Sequence, residues 1–303
     1  MIKITDLGVC ELDVYDIETK HTHMFFGNDI LVHNSNYLKL EAIVDKLLPG
    51  ETDRDRIVNL LDKFVESKLQ PVIDEALSDL GEATNVFQNA MGMKRESIAA
   101  TGLWTGKKRY AMTVLDNEGV RYSEPDLKVT GLETKRSSVP SMCRDALEDC
   151  LKIILMKNED ELIQYEEKFR EKFFSSSFYD IASPRGLNGL QKYYDPFHLF
   201  KPKCPIHVKG AIVYNEWLKD KKLEAKYPKI NDGEKIKYVY LRLPNRLKSE
   251  VVSCPAKVPD EMEIEKYIDY ELQYEKTFLA PLTALAQVAR WNITQEHTLD
   301  GAW

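Results

Sequence analysis

The apolar residues of this chain change their period along its length, so no purely helical and no purely stranded architecture accommodates them. Ile57, Leu60, Leu61, Phe64, Leu69, Val72, Ile73, Ala76, Leu77 and Leu80 recur at helical spacing behind Thr52 and Asp53, either of which can cap a helix. Pro71 lies inside that run and is expected to kink or interrupt it. From Ile98 to Tyr122 the pattern turns to strands. Tyr110–Leu115, a turn at Asp116-Asn117-Glu118-Gly119 and Val120–Tyr122 predict a hairpin. Residues 141–176 return to a charged helical pattern with Leu147, Leu151 and Ile154 on one face. A loop is predicted at Ser183–Gly189, short strands at His207–Tyr214 and Tyr238–Leu243, and helix again from Glu261 to Trp291, with Gln295–Trp303 as a tail. The fold class that follows is α+β.

The 303 residues suffice for one large domain or two modest ones. No stretch approaches the roughly 20 apolar residues of a membrane span, and MIKITDLG lacks the basic and apolar regions of a signal peptide. A cytoplasmic protein without a membrane partner is expected. The five cysteines (Cys10, Cys143, Cys150, Cys204, Cys254) are scattered and show no CxxC, which predicts reduced, mostly buried thiols and no structural zinc. The net charge of −7 is concentrated in residues 1–34, which carry two basic and six acidic residues; residues 35–303 come to −3. A nearly balanced body can still present a basic stripe to nucleic acid.

Residues 1–34 are β-like around Val14, Tyr15, Ile17 and around Ile30, Leu31, Val32, and are too few to fold alone. They also hold three of the six histidines: His21, His23 and His33. At their end stands Val32-His33-Asn34-Ser35. An asparagine side-chain nitrogen can attack its own backbone carbonyl, closing a succinimide and cutting the chain behind it. A histidine with a pKa near 6.5 is a suitable acid for the leaving amine, and a serine just beyond offers a hydroxyl nucleophile for acyl transfer. Alone, the tripeptide is a weak signal that reads as a polar turn after a strand.

The whole run Val14–Ser35 resembles the C-terminal splicing blocks of inteins: Val14-Tyr15-Asp16, His23, Phe25-Phe26, Gly27 before Asn28, and Ile30-Leu31-Val32-His33-Asn34, with Ser35 as the first residue beyond. The resemblance implies that Ser35 accepts the upstream chain as an ester, Asn34 cyclises with help from His33, and His23 orients the branched intermediate. His21 stands where many inteins have an acidic residue. A splice point 34 residues from Met1 implies a split intein, half of a HINT-type β fold, whose other half sits on a second polypeptide. The acidity of 1–34 would steer it to a basic partner.

In Trp104-Thr105-Gly106-Lys107-Lys108-Arg109-Tyr110-Ala111, three successive cations before an aromatic at the start of a strand can grip phosphates and lie along a base or sugar, although the same residues suit a solvated turn. This stretch resembles the KKRY motif of family B DNA polymerases, which holds the primer end of the duplex. Further segments resemble that family in order. They are Ser35-Asn36-Tyr37-Leu38 after its catalytic Asp-Thr-Asp, Leu61–Phe64 through Gln70–Asp74, Lys94–Ala99, Gly131–Pro140, and Pro202–Gly210 with Tyr214-Asn215.

The resemblance implies an intein tail at 1–34, a partial palm of strands and helices at 35–134, a mostly helical thumb at 135–294 and a tail at 295–303. It further implies DNA contacts at Lys107, Lys108, Arg109 and Tyr110, with Arg185, Lys192, Lys203, His207 and Lys209 as more diffuse candidates on the thumb. Glu96 would stand near two Mg²⁺ ions whose main ligands lie on the partner chain, leaving this chain inert in nucleotidyl transfer before ligation. Leu299 and Trp303 would anchor to a sliding clamp. The implied partners are an N-terminal polymerase fragment carrying the N-intein, primer–template DNA and dNTPs, in a phage-infected bacterium. The competing expectation is a non-enzymatic DNA-binding subunit whose residues 1–34 dock without splicing.

Overall fold

A computed structural model describes residues 37–85, 92–255 and 258–293, and the backbone of two short strands before them. Those strands, β1 (Met24–Gly27) and β2 (Ile30–His33), pair antiparallel with Met24 opposite His33, as the apolar run at 30–32 predicts. The chain divides into two compact units. Met1–Ala100 with Val114–Asp126 form one, and Thr101–Thr113 with Leu127–Trp303 form the other. The bounds of the two units fall within or at the ends of strands.

In the first unit, α1 (Glu41–Leu47) precedes α2 (Arg54–Phe64). Asp53 caps α2, its carboxylate accepting from the backbone N–H of Asp55 and Arg56, as its position before the helical run predicts. The helical pattern then continues through α3 (Gln70–Ala83) without breaking at Pro71. A proline in an α-helix lacks the amide hydrogen and its ring meets the carbonyl four residues back. Here the preceding turn, Val65–Leu69, is a π-helix, in which the Gln70 N–H reaches the Val65 carbonyl. The widened turn takes up the proline, so the expected break becomes a bulge. Val58 and Leu61 of α2 pack with Ile98 and Leu115 as a small core.

Three strands, β3 (Ser97–Gly106), β4 (Arg109–Asn117) and β5 (Val120–Thr130), are joined by tight turns and pair in sequence order. The hairpin predicted at 110–122 is the β4–β5 pair, longer than the alternation alone suggests.

The second unit holds the larger core. Helices α4 (Ser141–Met156) and α5 (Glu159–Phe174) match the periodicity of 141–176, with Leu147 and Leu151 fully buried and Ile154 nearly so. They are followed by α6 (Phe178–Ile181), β6 (Ser183–Gly186), α7 (Leu190–Tyr193), β7 (Tyr194–Asp195), β8 (Leu199–Phe200), α8 (Ile206–Asp220), β9 (Lys235–Tyr240), β10 (Val251–Cys254), α9 (Tyr270–Tyr274) and α10 (Ala280–Val288). Strands β10, β9 and β6 form an antiparallel sheet in that order. Between α9 and α10 a second π-turn, Glu275–Leu279, precedes Pro281, and the Ala280 N–H reaches the Glu275 carbonyl.

Two expectations are corrected here. Ser183–Gly186 is not a loop; it pairs with β9, and because it is the sheet's edge its Pro184 removes no ladder bond that a central strand would need. His207–Tyr214 is not a strand but part of α8, packed on β10. Val208, Ala211, Ile212, Val213 and Tyr214 are all buried, and the four successive buried residues Ala211–Tyr214 do not separate a buried strand from a buried helix. The thiols of Cys143, Cys150 and Cys254 are free and buried, as expected, and burial pushes Cys143 up to about 12.

Candidate nucleic-acid interface

The basic motif sits on the turn between β3 and β4. Lys107 and Lys108 are exposed at that turn, whereas Arg109 and Tyr110 are half-buried at the start of β4. Lys108 adopts the left-handed region at φ 59°, unfavourable for a residue with a side chain. Gly131, itself at φ 67°, lies against it: a Cβ there would come 2.2 Å from the Lys108 carbonyl oxygen. The tip is thus seated on a glycine that no other residue replaces without displacing backbone.

Arg109 does not project with the two lysines. Its guanidinium donates to both carboxylate oxygens of Glu133 at 2.9 and 3.0 Å, and Glu133 also pairs with Arg136 at 3.1 Å. One guanidinium nitrogen, Nη2, makes both charge-assisted bonds to Glu133, so Arg109 ties the motif to the segment after β5. Trp104 lies across from Tyr110, the rings stacked at 6.5 Å and 29°. The indole occupies space that Gly102 leaves open; a Cβ on Gly102 would meet its Cη2 at 2.4 Å. Residue-type reading missed both Gly102 and Glu133 as parts of this arrangement. The available signal was a glycine two positions before a tryptophan on one strand face.

Glu96 precedes β3 and is exposed. Its carbonyl accepts from the Glu118 N–H at 2.6 Å. Beside it, Arg95 bridges Asp62 of α2, at 2.7 Å, and the buried Asp116 of β4. Asp116 also accepts from the Gly119 N–H at 2.9 Å, and Arg121 lies 3.6 Å from Asp62 and 3.8 Å from Asp116. This charge network fixes the strand end that carries Glu96. Among the described residues, no group of three or more His, Cys, Asp or Glu side chains is arranged to hold a metal ion.

The remaining candidate bases lie on the sheet and α8 of the second unit. Arg185 is exposed on β6 and Lys203 is exposed before α8, at φ 60°. Lys209 pairs with Glu250 at 2.6 Å and sits 4.8 Å over the Phe200 ring, so it is held rather than projecting. His207 is half-buried, its ring 6.3 Å from Tyr238. Desolvation, and then the nearby charge of Arg185, hold its pKa below the usual 6.5, which keeps it neutral at neutral pH. Lys192 is exposed over Tyr193 at 5.2 Å. His21, His23, Asn34, Ser35, Leu299 and Trp303 lie outside the described residues, and of His33 only the backbone, opposite Met24, is described. Among the described residues no helix is long and apolar enough to cross a membrane.

No protein-family model matches the chain. It is 34% identical over 281 residues to a DNA-directed DNA polymerase of Escherichia phage RB69, a match covering 88% of this chain and 30% of that protein. Against a DNA-directed DNA polymerase of Enterobacteria phage T4 it is 28% identical over 281 residues, covering 88% of this chain and 31% of the relative. A DNA polymerase of a Thermococcus species is 26% identical over 265 residues, covering 86% of this chain and 12% of that protein. The chain spans less than a third of the length of these relatives. Over most of its own length, the chain is therefore homologous to a part of the DNA polymerases of phages and archaea.

Proposed function

We propose that residues 35–303 are the palm and thumb portion of a replicative DNA-directed DNA polymerase, and that residues 1–34 are the C-terminal portion of an intein that joins it to the rest of the enzyme. The homology over 88% of the chain carries the polymerase reading. The projecting Lys107–Lys108 turn supports it, since two cations on a backed-up strand turn suit phosphates better than a protein groove. In this reading Lys107 and Lys108 hold the primer backbone while Tyr110, braced by Trp104, lies along the sugar–base edge. Arg109 holds the motif through Glu133. Arg185, Lys203, His207 and Lys209 line the thumb's side of the duplex, and Leu299 and Trp303 bind a sliding clamp.

The described residues do not by themselves fit a magnesium site, because Glu96 belongs to no group of three or more His, Cys, Asp or Glu side chains arranged to hold a metal ion among them. In the proposed enzyme the metal-holding aspartates come from sequence that precedes Ser35 in the joined product. They lie on a partner fragment that also carries the rest of the intein. This chain's residues bind and orient the duplex and leave dNTP activation to that fragment.

The junction would form in three steps. The Ser35 hydroxyl displaces the upstream acyl group from the intein's first residue, leaving an ester on Ser35. Asn34 then attacks its own carbonyl, breaking the Asn34–Ser35 bond and freeing the Ser35 amine with His33 as acid. The ester finally shifts from oxygen to nitrogen.

The test is primer–template binding by the full chain, read by anisotropy across salt concentrations. Binding without primer extension is expected, and Lys107→Ala with Lys108→Ala should lower the slope of log K against log salt by about two. An unchanged slope removes the phosphate grip, and extension by the chain alone removes the division of labour.

A further inference from the structure

An aromatic ring in water is ordinarily covered, yet Phe197 is 90% exposed, in a turn that is hydrogen-bonded internally. It stands in the turn of the two-residue ladder β7–β8, where Tyr194 pairs with Phe200 and Asp195 with Leu199. The Asp195 carboxylate accepts from the N–H groups of Phe197 and His198 at 2.8 and 3.2 Å, and its pKa is lowered chiefly by those two bonds. Leu199 takes the left-handed region at φ 70° to close the turn. The ring is thus held out on a locked turn.

Its surroundings select the partner. A cleft of about 520 Å³ beside the turn is lined by Asp195, His198, Phe200, Lys201, Lys203 and Lys209. Lys201 donates to the Lys192 carbonyl at 2.9 Å, and Lys209 is neutralised by Glu250. Lys203 has no carboxylate within ion-pair distance among the described residues. An apolar tip bordered by lysines suits a polyanion that also offers apolar surface. Single-strand binders need successive aromatics, one per base, whereas a lone ring flanked by cations suits a wedge set against the sugars and base edges of a duplex minor groove.

We propose that the Asp195–His198 turn is a minor-groove wedge. Phe197 makes the apolar contact with duplex DNA, and Lys201 and Lys203 hold the phosphates that bracket it. The assignment rests on the reading of this chain as a duplex-binding part of a polymerase, and adds to it a contact that the basic residues alone do not supply.

Full-length chain is titrated into a fluorescein-labelled primer–template duplex, and into the single strand, at several salt concentrations. Phe197→Ser is expected to weaken duplex binding about tenfold with an unchanged salt slope, because an apolar contact releases no counterions. Phe197→Trp restores affinity, and its emission is quenched on binding. Lys203→Ala weakens binding and lowers the slope by about one. If the lysine variants weaken binding and Phe197→Ser does not, the wedge is wrong and the duplex reading stands. If none of Lys107→Ala, Lys108→Ala and Lys203→Ala changes binding, the duplex reading itself fails. A loss confined to the single strand overturns the minor-groove assignment. Exposure of the Phe197 ring keeps these variants folded.

Discussion

Gly102 and Gly131 both leave room for a neighbour, and the nature of that neighbour decides what an added methyl does. At Gly131 the neighbour is the Lys108 backbone and φ is positive, so Gly131→Ala should cost about 2 kcal/mol or more, measured by urea unfolding. At Gly102 the neighbour is the movable rim of the Trp104 indole, so Gly102→Ala should cost under about 1 kcal/mol while breaking the stack on Tyr110. Tryptophan emission should shift in Gly102→Ala, and the alanine should have no spectral effect once Trp104→Phe is in place. His207 carries a pH dependence. Its folded pKa lies below the unfolded 6.5, so the unfolded chain binds more protons as pH falls through 6.5 toward the lowered value. Stability at this site is complete above 6.5 and declines below it. His207→Gln should flatten the fall in melting temperature between pH 7.5 and 5.

Elements were legible in the sequence where a single periodicity ran long enough. The stretches behind Asp53 and Pro140 became α2–α3 and α4–α5, and the alternation from Tyr110 became β4 and β5. What was not legible depended on contacts distant in sequence. The run Ala211–Tyr214 in α8 is buried at four successive positions, and no period survives across such a run. Ser183–Gly186 carries turn residues, and only its pairing with Lys235–Tyr238 makes it a strand. The lysine turn could be read as a cationic tip, but the diversion of Arg109 to Glu133 and the seat at Gly131 require the segment after β5 to be in place. The charge network of the first unit makes its own prediction. Asp116→Ala leaves Arg95 without its buried partner and should cost about 3 kcal/mol, whereas Asp53→Ala, the loss of one helix cap, should cost about 1 kcal/mol. Denaturant midpoints of the two variants rank the contributions.

As a whole the chain presents the projecting Lys107–Lys108 turn without a metal cluster among its described residues, and its sequence places Asn34 directly before Ser35. These features belong together if the 34 residues before Ser35 are removed as the chain is joined to its partner. Mass spectrometry of the chain co-expressed with a polymerase fragment bearing the N-intein decides the matter. The account predicts a peptide running from the partner's last polymerase residue, the one before its N-intein, into Ser35-Asn36-Tyr37-Leu38, and a released fragment ending in Asn34 as its succinimide. Both should be lost in Asn34→Ala with Ser35→Ala. A 35.0 kDa chain that stays intact while polymerase activity appears would contradict it.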